Sequence, residues 1–566
     1  MCNRKVYSLL IFAVITTLVS TLYIPFLGNG LVFDDHGIFT SLVVYDIAQT
    51  AFDFYSRTFP YFTLGFIHVV SNGSIEANRL LSICLHLACS VTLFFLLRSL
   101  LAHATKIAAS SKEFCSIQIL AASAAILFVI HPIAVYGVAY LAQRTILFAT
   151  LFSLATLFFY GRAFSEKRTS DVLAAALFYS MAVFSKQHAI MLPLAALPLT
   201  ILYEPDFKWA RIRISLFLVL CLPAGLCVLL ATKYIVANSY EPDVGAMLAQ
   251  MQAGVVSGNR IAILDHPLGS WLFSALMQAG FFFDYIFYWI VPDVRVLSAD
   301  MRFDFVEIWF SLATYVKAIL FFMLPIIAMY FIRRKGAIAL FCCGFLYCWF
   351  LFLTELAAVR FQEPFVLYRS YLWAPGYLMM LVALGTNLSG RWLLLIVVPL
   401  SAIYMLLAHD RLKSFVDDGV LWKDAAEKLA SPTVVGSDRI FYNRGNAFLA
   451  EKRYADAIAD YSSAIKQNPK FPHSYYNRGL AYLRLNKEAE ALADIDHSLS
   501  LQKYDAAMYT RGFILERRGC LDAAKIEYAK SMALGNRLAK LKFDHLATNS
   551  DMGRKKSKSE SDTCPD

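Results

Sequence analysis

The chain has 566 residues, 58% of them hydrophobic and 17% charged, with a mean hydropathy of +0.54. A single soluble core of this size cannot hide so much apolar side chain, so a wholly water-soluble protein is excluded and a membrane-embedded one expected. The net charge of +10 comes from basic clusters between apolar runs and from a basic tail, Arg554-Lys555-Lys556-Ser557-Lys558; no basic and aromatic platform accompanies them, which excludes a nucleic-acid partner.

The first apolar run, 6–27, follows Asn3-Arg4-Lys5 and ends in bulky Tyr23-Ile24-Pro25-Phe26. Lacking a small-residue cleavage site, it reads as a retained helix rather than a signal peptide. A polar loop, 28–77, comes next and contains two adjacent carboxylates, Asp34 and Asp35. Carboxylates at a membrane face are costly to desolvate, which marks them as functional candidates, although acidic residues just outside a span are often only solvated. Further spans are expected at 78–101, 116–132, 144–161, 172–186, 188–204, 214–235, 308–331, 337–357, 370–388 and 392–408, each near the length needed to cross a hydrocarbon core of about 30 Å. The pair 172–186 and 188–204 is predicted to form a tight hairpin around Lys186. Segment 236–307 is assigned to an interfacial or re-entrant position. Counting its apolar stretch 268–292 as a span would put Arg333-Arg334-Lys335 and Arg391 on the wrong side of the positive-inside rule. With eleven spans in residues 1–410 and a cytoplasmic N-terminus, the Asp34-Asp35 loop and the C-terminal region both fall outside the cytoplasm. The eleven cysteines are scattered and give neither a disulfide framework nor metal-ligand spacing.

After a connector, 411–436, the sequence repeats itself between 437 and 540. Tyr442-Asn443-Arg444-Gly445 recurs as Tyr476-Asn477-Arg478-Gly479 and as Tyr509-Thr510-Arg511-Gly512. Ala457-Ile458-Ala459-Asp460-Tyr461 recurs as Ala491-Leu492-Ala493-Asp494-Ile495 and as Ala524-Lys525-Ile526-Glu527-Tyr528. A period of 34 and then 33 residues, with small residues where paired helices cross, resembles the tetratricopeptide (TPR) repeat. Three such units stack into an α-solenoid whose concave face takes extended peptides or partner proteins; a spacer or dimerisation role is the plainer alternative. Residues 541–566 are expected to be a disordered basic and polar tail. The fold class expected for the whole chain is all-α, a polytopic transmembrane bundle followed by this solenoid.

The outward-facing polar groups near the membrane include Asp34, Asp35, Arg57, His131, Gln143, Arg144, Lys186, Arg369 and Tyr371. Singly, the cations are explained as snorkelling anchors and the histidines as packed core residues. Together, two carboxylates facing several cations suit a reaction on a phosphate-bearing lipid, in which a carboxylate activates a hydroxyl and cations hold the leaving phosphate.

His131-Pro132-Ile133 followed by Val138-Ala139-Tyr140-Leu141-Ala142-Gln143-Arg144 resembles the HP…V…R signature of the transmembrane-and-tetratricopeptide (TMTC) proteins and their bacterial relatives. Ser185-Lys186-Gln187 is similar to their SKE turn, Leu367-Tyr368-Arg369-Ser370-Tyr371-Leu372 to their ERxLYLPSxG segment, and Arg57-Thr58-Phe59-Pro60 with His86 to their R…P…H pattern. The chain departs from these patterns at Tyr136, Gln187 and Phe365-Val366. The resemblance implies a GT-C glycosyltransferase fold and transfer of a sugar from a polyprenyl-phosphate donor to an extracytoplasmic acceptor, a protein hydroxyl in the first instance. It implies Asp35, or failing that Asp34, as the base, and Lys186, Arg144 and Arg369 on the donor phosphate. His131, His86, Arg57, Gln143 and Tyr371 are implied as substrate contacts. No cofactor is required beyond the lipid-linked donor; the cations reduce the need for a metal, and a divalent ion stays open as an alternative. Compact loops and a single short repeat array point to a bacterial inner membrane, with the repeats in the periplasm engaging a protein or peptide. The competing expectation is a non-catalytic membrane-anchored scaffold for envelope protein assembly.

Overall fold

The computed structural model describes residues 4–40, 56–105, 111–203, 207–235, 247–248, 251, 261–266 and 268–553. Parts of the first polar loop, of the segment 236–307 and of the basic tail therefore lie outside the described residues. Those described are helical, with no strand among them and one isolated antiparallel bridge between Met301 and Phe365. The chain divides into two compact units, Met1–Val244 with Met251–Lys428, and Leu429–Asp566 with the short stretch Gly245–Gln250.

In the first unit seven helices are long and apolar enough to cross a membrane, and an eighth candidate is the bent pair Cys115–Val129 and Pro132–Val138. The other three of the eleven expected spans correspond to Thr169–Ser185, Gln187–Tyr203 and Ala374–Gly385, all shorter. A helix of 17 residues reaches about 25 Å at 1.5 Å per residue, short of a hydrocarbon core of roughly 30 Å. Composition and burial sort the long helices into two groups. Leu141–Ser165 buries 72% of its apolar window, whereas Ala210–Thr232 and Gly390–Lys413 bury only 22%. The poorly buried helices turn Leu222, Leu230, Leu394 and Leu406 outward, as side chains facing hydrocarbon do. The inner helices come close where small residues allow it. A Cβ on Gly344 would stand 2.5 Å from the carbonyl oxygen of Gly376, so the helices Gly336–Phe352 and Ala374–Gly385 meet backbone to backbone.

Side-chain caps fix the helix starts that matter for the site. Ser74 accepts the amide of Ala77 at 3.0 Å to open Ile75–Ala104, and Asp417 accepts the amide of Val420 at 2.8 Å to open Asp418–Glu427. This last helix belongs to the first unit, so the stretch 411–428, expected as part of a connector, is built into that unit's own packing.

The second unit consists of three helix pairs, Ser437–Ala450 with Tyr454–Gln467, Pro472–Arg484 with Glu488–Leu501, and Asp505–Arg517 with Leu521–Ala533. Each repeated glycine faces the residue sixteen positions on. A Cβ on Gly445 would lie 2.8 Å from the Tyr461 ring, and one on Gly512 would lie 2.9 Å from the Tyr528 ring. The repeated arginines follow the same step. Arg444 clasps Asp460 through two bonds of 2.7 Å, Arg478 clasps Asp494 through two of 2.8 Å, and Arg511 reaches Glu527 at 3.1 Å. A seventh helix, Arg537–Gly553, runs into the stretch expected to be a disordered tail. Ala539 and Leu546, with Phe543 beside them, pack against Tyr528 and cover the apolar edge that the last repeat would otherwise expose, so the stretch through Leu546 is held as a cap.

Candidate functional site

Successive residues at a helix start diverge by about 100°, and this separates the two aspartates at the head of Asp34–Thr40. Asp35 turns inward and is fully buried. Its carboxylate accepts the Ala142 amide at 2.7 Å and the Leu141 amide at 3.3 Å, holding the turn that precedes Arg144. Burial pushes the Asp35 carboxyl up to about 7, against the pull of those two amides and of the Arg79 guanidinium. Asp34 turns outward, and its carboxylate accepts the Tyr140 hydroxyl at 2.6 Å.

Asp34 lines a cavity of about 530 Å³ whose wall also carries Arg57, Gln143, Lys186, Arg360 and Arg369. Lys186 ends the helix Thr169–Ser185 in extended backbone. Its ammonium donates to Gln143 Oε1 at 3.1 Å and Thr145 Oγ1 at 3.4 Å, and sits 5.4 Å from the centre of the Tyr368 ring. Arg57, in the left-handed region at φ 76°, donates its amide to the Phe184 carbonyl at 2.6 Å and its Nε to Gln187 Oε1 at 3.2 Å. Among the described residues no carboxylate oxygen lies within 4 Å of the Lys186 or Arg57 charge. Arg369 differs: it meets Glu355 at 3.0 Å and Glu363 at 2.7 Å. Buried Glu355 also receives His188 at 3.0 Å and Arg360 at 3.6 Å. Two cations of the cavity are thus held by neutral oxygens, and two by carboxylates.

The remaining expected site residues lie elsewhere. Arg144 is fully buried, and its guanidinium donates to Ser82, Thr63 and both the backbone and side-chain oxygens of Asn78, at 2.6 to 3.4 Å. It ties Thr58–Val70 and Ile75–Ala104 to its own helix and does not line the cavity. The Nε2–H of His86 donates to the Val129 carbonyl at 3.0 Å, which leaves Nδ1 to accept the Tyr371 hydroxyl at 2.6 Å. His131 accepts the Ile133 amide and stacks on Trp289 with centroids 4.2 Å apart. His86, His131 and Tyr371 therefore act as internal packing polar groups, and the arrangement gathers Asp34, Arg57, Gln143, Lys186 and Arg369 but not these three, Arg144 or Asp35. Glu355, Arg360, Glu363 and Tyr140 were not foreseen. Glu355 carried a signal, since a carboxylate closing an otherwise apolar run demands a partner.

Two family models match the second unit: TPR repeat over residues 445–486 and tetratricopeptide repeat over 472–505. The C-terminal unit is a TPR array. Solved structures similar to it include the first TPR of Spaghetti (RPAP3) bound to the HSP90 peptide SRMEEVD, at 26% identity over 20% of this chain and 95% of that one, with a TM-score of 0.20. The Arabidopsis OM64 TPR domain matches at 24% identity over 21% and 98%, TM-score 0.20. The Sgt2 TPR domain from Aspergillus fumigatus matches at 22% over 23% and 91%, TM-score 0.20. No curated protein matches the chain. The Arg-Gly and Asp steps that define the TPR period in sequence are the same residues that clamp helix to helix in the array.

Proposed function

We propose that the membrane unit is a GT-C-type glycosyltransferase that moves a sugar from a polyprenyl-phosphate carrier to an extracytoplasmic hydroxyl, with the TPR array engaging the acceptor protein or a partner. The observation that carries this reading is the cavity itself, in which Asp34 shares one wall-to-wall space with Lys186 and Arg57, two cations with no carboxylate within 4 Å among the described residues. A buried ammonium that meets neutral oxygens and an aromatic ring among the described residues carries a desolvation cost that an anionic substrate would relieve. One wall, formed by Leu229, Ala231, Thr232 and Tyr234, offers apolar contact to an isoprenoid chain.

Asp34 removes the proton from the acceptor hydroxyl while the hydroxyl oxygen forms its bond to the anomeric carbon. The bond from that carbon to the phosphate oxygen breaks, and the phosphate leaves with the electron pair. Tyr140, donating to Asp34, fixes which carboxylate oxygen faces the acceptor. Lys186 and Arg57 neutralise the departing phosphate, and Glu355 keeps Arg360 and Arg369 extended along the same wall. Inverted configuration at the sugar follows from a single displacement. The location is a bacterial inner membrane with this face towards the periplasm.

Complementing a deletion strain with wild type, Asp34→Asn, Lys186→Met or a chain lacking the repeats, and reading envelope glycans by mass spectrometry, tests the proposal. Loss of one glycan class in both point variants is expected. Full glycosylation in both, with loss of the phenotype only on repeat deletion, would replace the enzyme by the scaffold that the TPR array alone also fits.

A further inference from the structure

The segment carrying Asp34 is held from the far end of the membrane unit. Asn29 Nδ2 donates to the Phe415 carbonyl at 3.0 Å, and the Gly30 amide donates to the Val416 carbonyl at 2.7 Å. The Phe33 amide donates to Asp418 Oδ1 at 2.8 Å, while His36 Nε2 meets Asp418 Oδ2 at 2.9 Å. One carboxylate thus brackets Asp34 on both sides in sequence, through the residue before it and the residue two after it. The Phe33 ring lies between Trp422, edge-on at 5.2 Å, and Tyr140 at 6.1 Å, the tyrosine that donates to Asp34.

Phe33 needs this support. Its φ of 51° lies in the left-handed region, which disfavours a residue bearing a Cβ. That conformation ends the loop and starts the helix so that Asp34 faces the cavity and Asp35 the core. Releasing the Phe33 amide removes one of the contacts that offset this cost, and the chain gains freedom to relax towards ordinary negative φ. Even a shift of about 1 Å in a reacting group costs on the order of a hundredfold in rate.

We infer that Asp418 is a positioning residue for Asp34: bound to the Phe33 amide and to His36, it fixes the left-handed turn that aims Asp34 into the cavity. This rests on the glycosyltransferase reading, and it makes the helix Asp418–Glu427, the last element before the repeats in sequence, part of the active-site scaffold. Asp418 does not line the cavity; it acts through the Phe33 amide and the His36 ring.

The test uses full-length protein in lipid nanodiscs, with hydrogen exchange on peptides spanning 29–40 and, in parallel, release of undecaprenyl phosphate from synthetic undecaprenyl-phosphate mannose, glucose and galactose with serine- and threonine-containing peptides or water as the acceptor hydroxyl. Asp418→Ala removes both contacts, whereas Asp418→Asn keeps an oxygen for the Phe33 amide. For Asp418→Ala, exchange at the Phe33 region is expected to rise about tenfold and turnover to fall roughly 10- to 100-fold. KM for the lipid sugar should change less than about twofold, because Lys186 and Arg57 are untouched. Asp418→Asn should restore protection and most of the rate, a recovery that loss of general packing would not give. Exchange unchanged in Asp418→Ala overturns the inference, as does wild-type turnover in that variant while Asp34→Asn is inactive. Wild type inert towards all three sugars counts against the function proposed above, and the exchange readout then decides the positioning on its own. If Asp418→Ala does not fold, Asp418→Asn and His36→Gln carry the same comparison, and equal disturbance in both overturns the role given to the Phe33 amide.

Discussion

Asp34 and Asp35 are neighbours in sequence with opposite surroundings, and substituting each should separate stability from activity. Asp35→Ala leaves the amides of Leu141 and Ala142 without an acceptor at a fully buried position. An unsatisfied buried donor costs about 1–3 kcal/mol, so the variant should lose on the order of 2–5 kcal/mol of stability. Asp34→Ala removes the bond from the Tyr140 hydroxyl at 2.6 Å, which is worth about 1 kcal/mol, yet should lose about 10²- to 10⁴-fold in rate if it is the base. The pH dependence sharpens the distinction. Burial raises the Asp35 carboxyl from 3.8 to about 7, so the folded protein retains a proton that the unfolded chain has released. The contribution is fully present below the unfolded value and is lost as pH rises through 7. Between pH 5 and 7.5 wild type should lose roughly 2 kcal/mol more than Asp35→Asn, which cannot ionise. Thermal unfolding of the purified full-length variants across that range, alongside glycan occupancy in cells, measures both effects. A stable but inactive Asp35→Asn together with an active Asp34→Asn would reverse the assignment.

Four further outcomes are expected. Arg144→Met should reduce the amount of folded protein, by about 3–5 kcal/mol of lost stability, because Asn78, Ser82 and Thr63 lose a buried donor cluster; thermal unfolding with residual specific activity measures this, and a stable variant with raised KM would return Arg144 to the substrate. Glu355→Gln removes the charge shared by Arg369, Arg360 and His188 and should cost about 3 kcal/mol, read as a lower unfolding midpoint. Gly445→Ala forces a methyl group to 2.8 Å from the buried Tyr461 ring and should destabilise the first repeat by about 1–3 kcal/mol, visible as faster hydrogen exchange over 437–467 in the full chain. Asp494→Ala should release Arg478 and raise exchange in the second repeat by an amount equivalent to about 1–3 kcal/mol.

The repeats were legible almost to the residue because their period is a packing rule written in side-chain size. Gly445 must be small where Tyr461 is large, and the pair recurs at the same separation. The capping helix was not legible, since Ala539, Phe543 and Leu546 interleave with Lys540, Lys542 and Asp544, and only the exposed edge of the last repeat makes that apolar stripe worth ordering. In the first unit, hydropathy marked where helices run but carried no information on which way a polar side chain turns. Arg144 and Lys186 look alike in sequence, each at the mouth of an apolar run. One is consumed by four neutral oxygens inside the helix packing, and the other opens onto the cavity. The same ambiguity attached to Asp34 and Asp35, where one step along a helix exchanges solvent for core.

The contrast among the cations bears on what the cavity is for. A structural role gives a buried cation a carboxylate or a full set of neutral acceptors, as Arg369 has with Glu355 and Glu363 and Arg144 has with Asn78, Ser82 and Thr63. Lys186 is nearly as buried, yet among the described residues its acceptors are one amide and one hydroxyl, the latter at 3.4 Å. Stability alone would favour an uncharged side chain there, because desolvating an ammonium costs several kcal/mol that two neutral oxygens only partly offset. Lys186→Met should accordingly leave the unfolding midpoint unchanged or raise it, while weakening retention of a polyprenyl phosphate. Thermal unfolding with and without undecaprenyl phosphate distinguishes the cases: ligand should stabilise wild type and not the variant. A large drop in midpoint for Lys186→Met without ligand would mean that the lysine holds the fold rather than the phosphate.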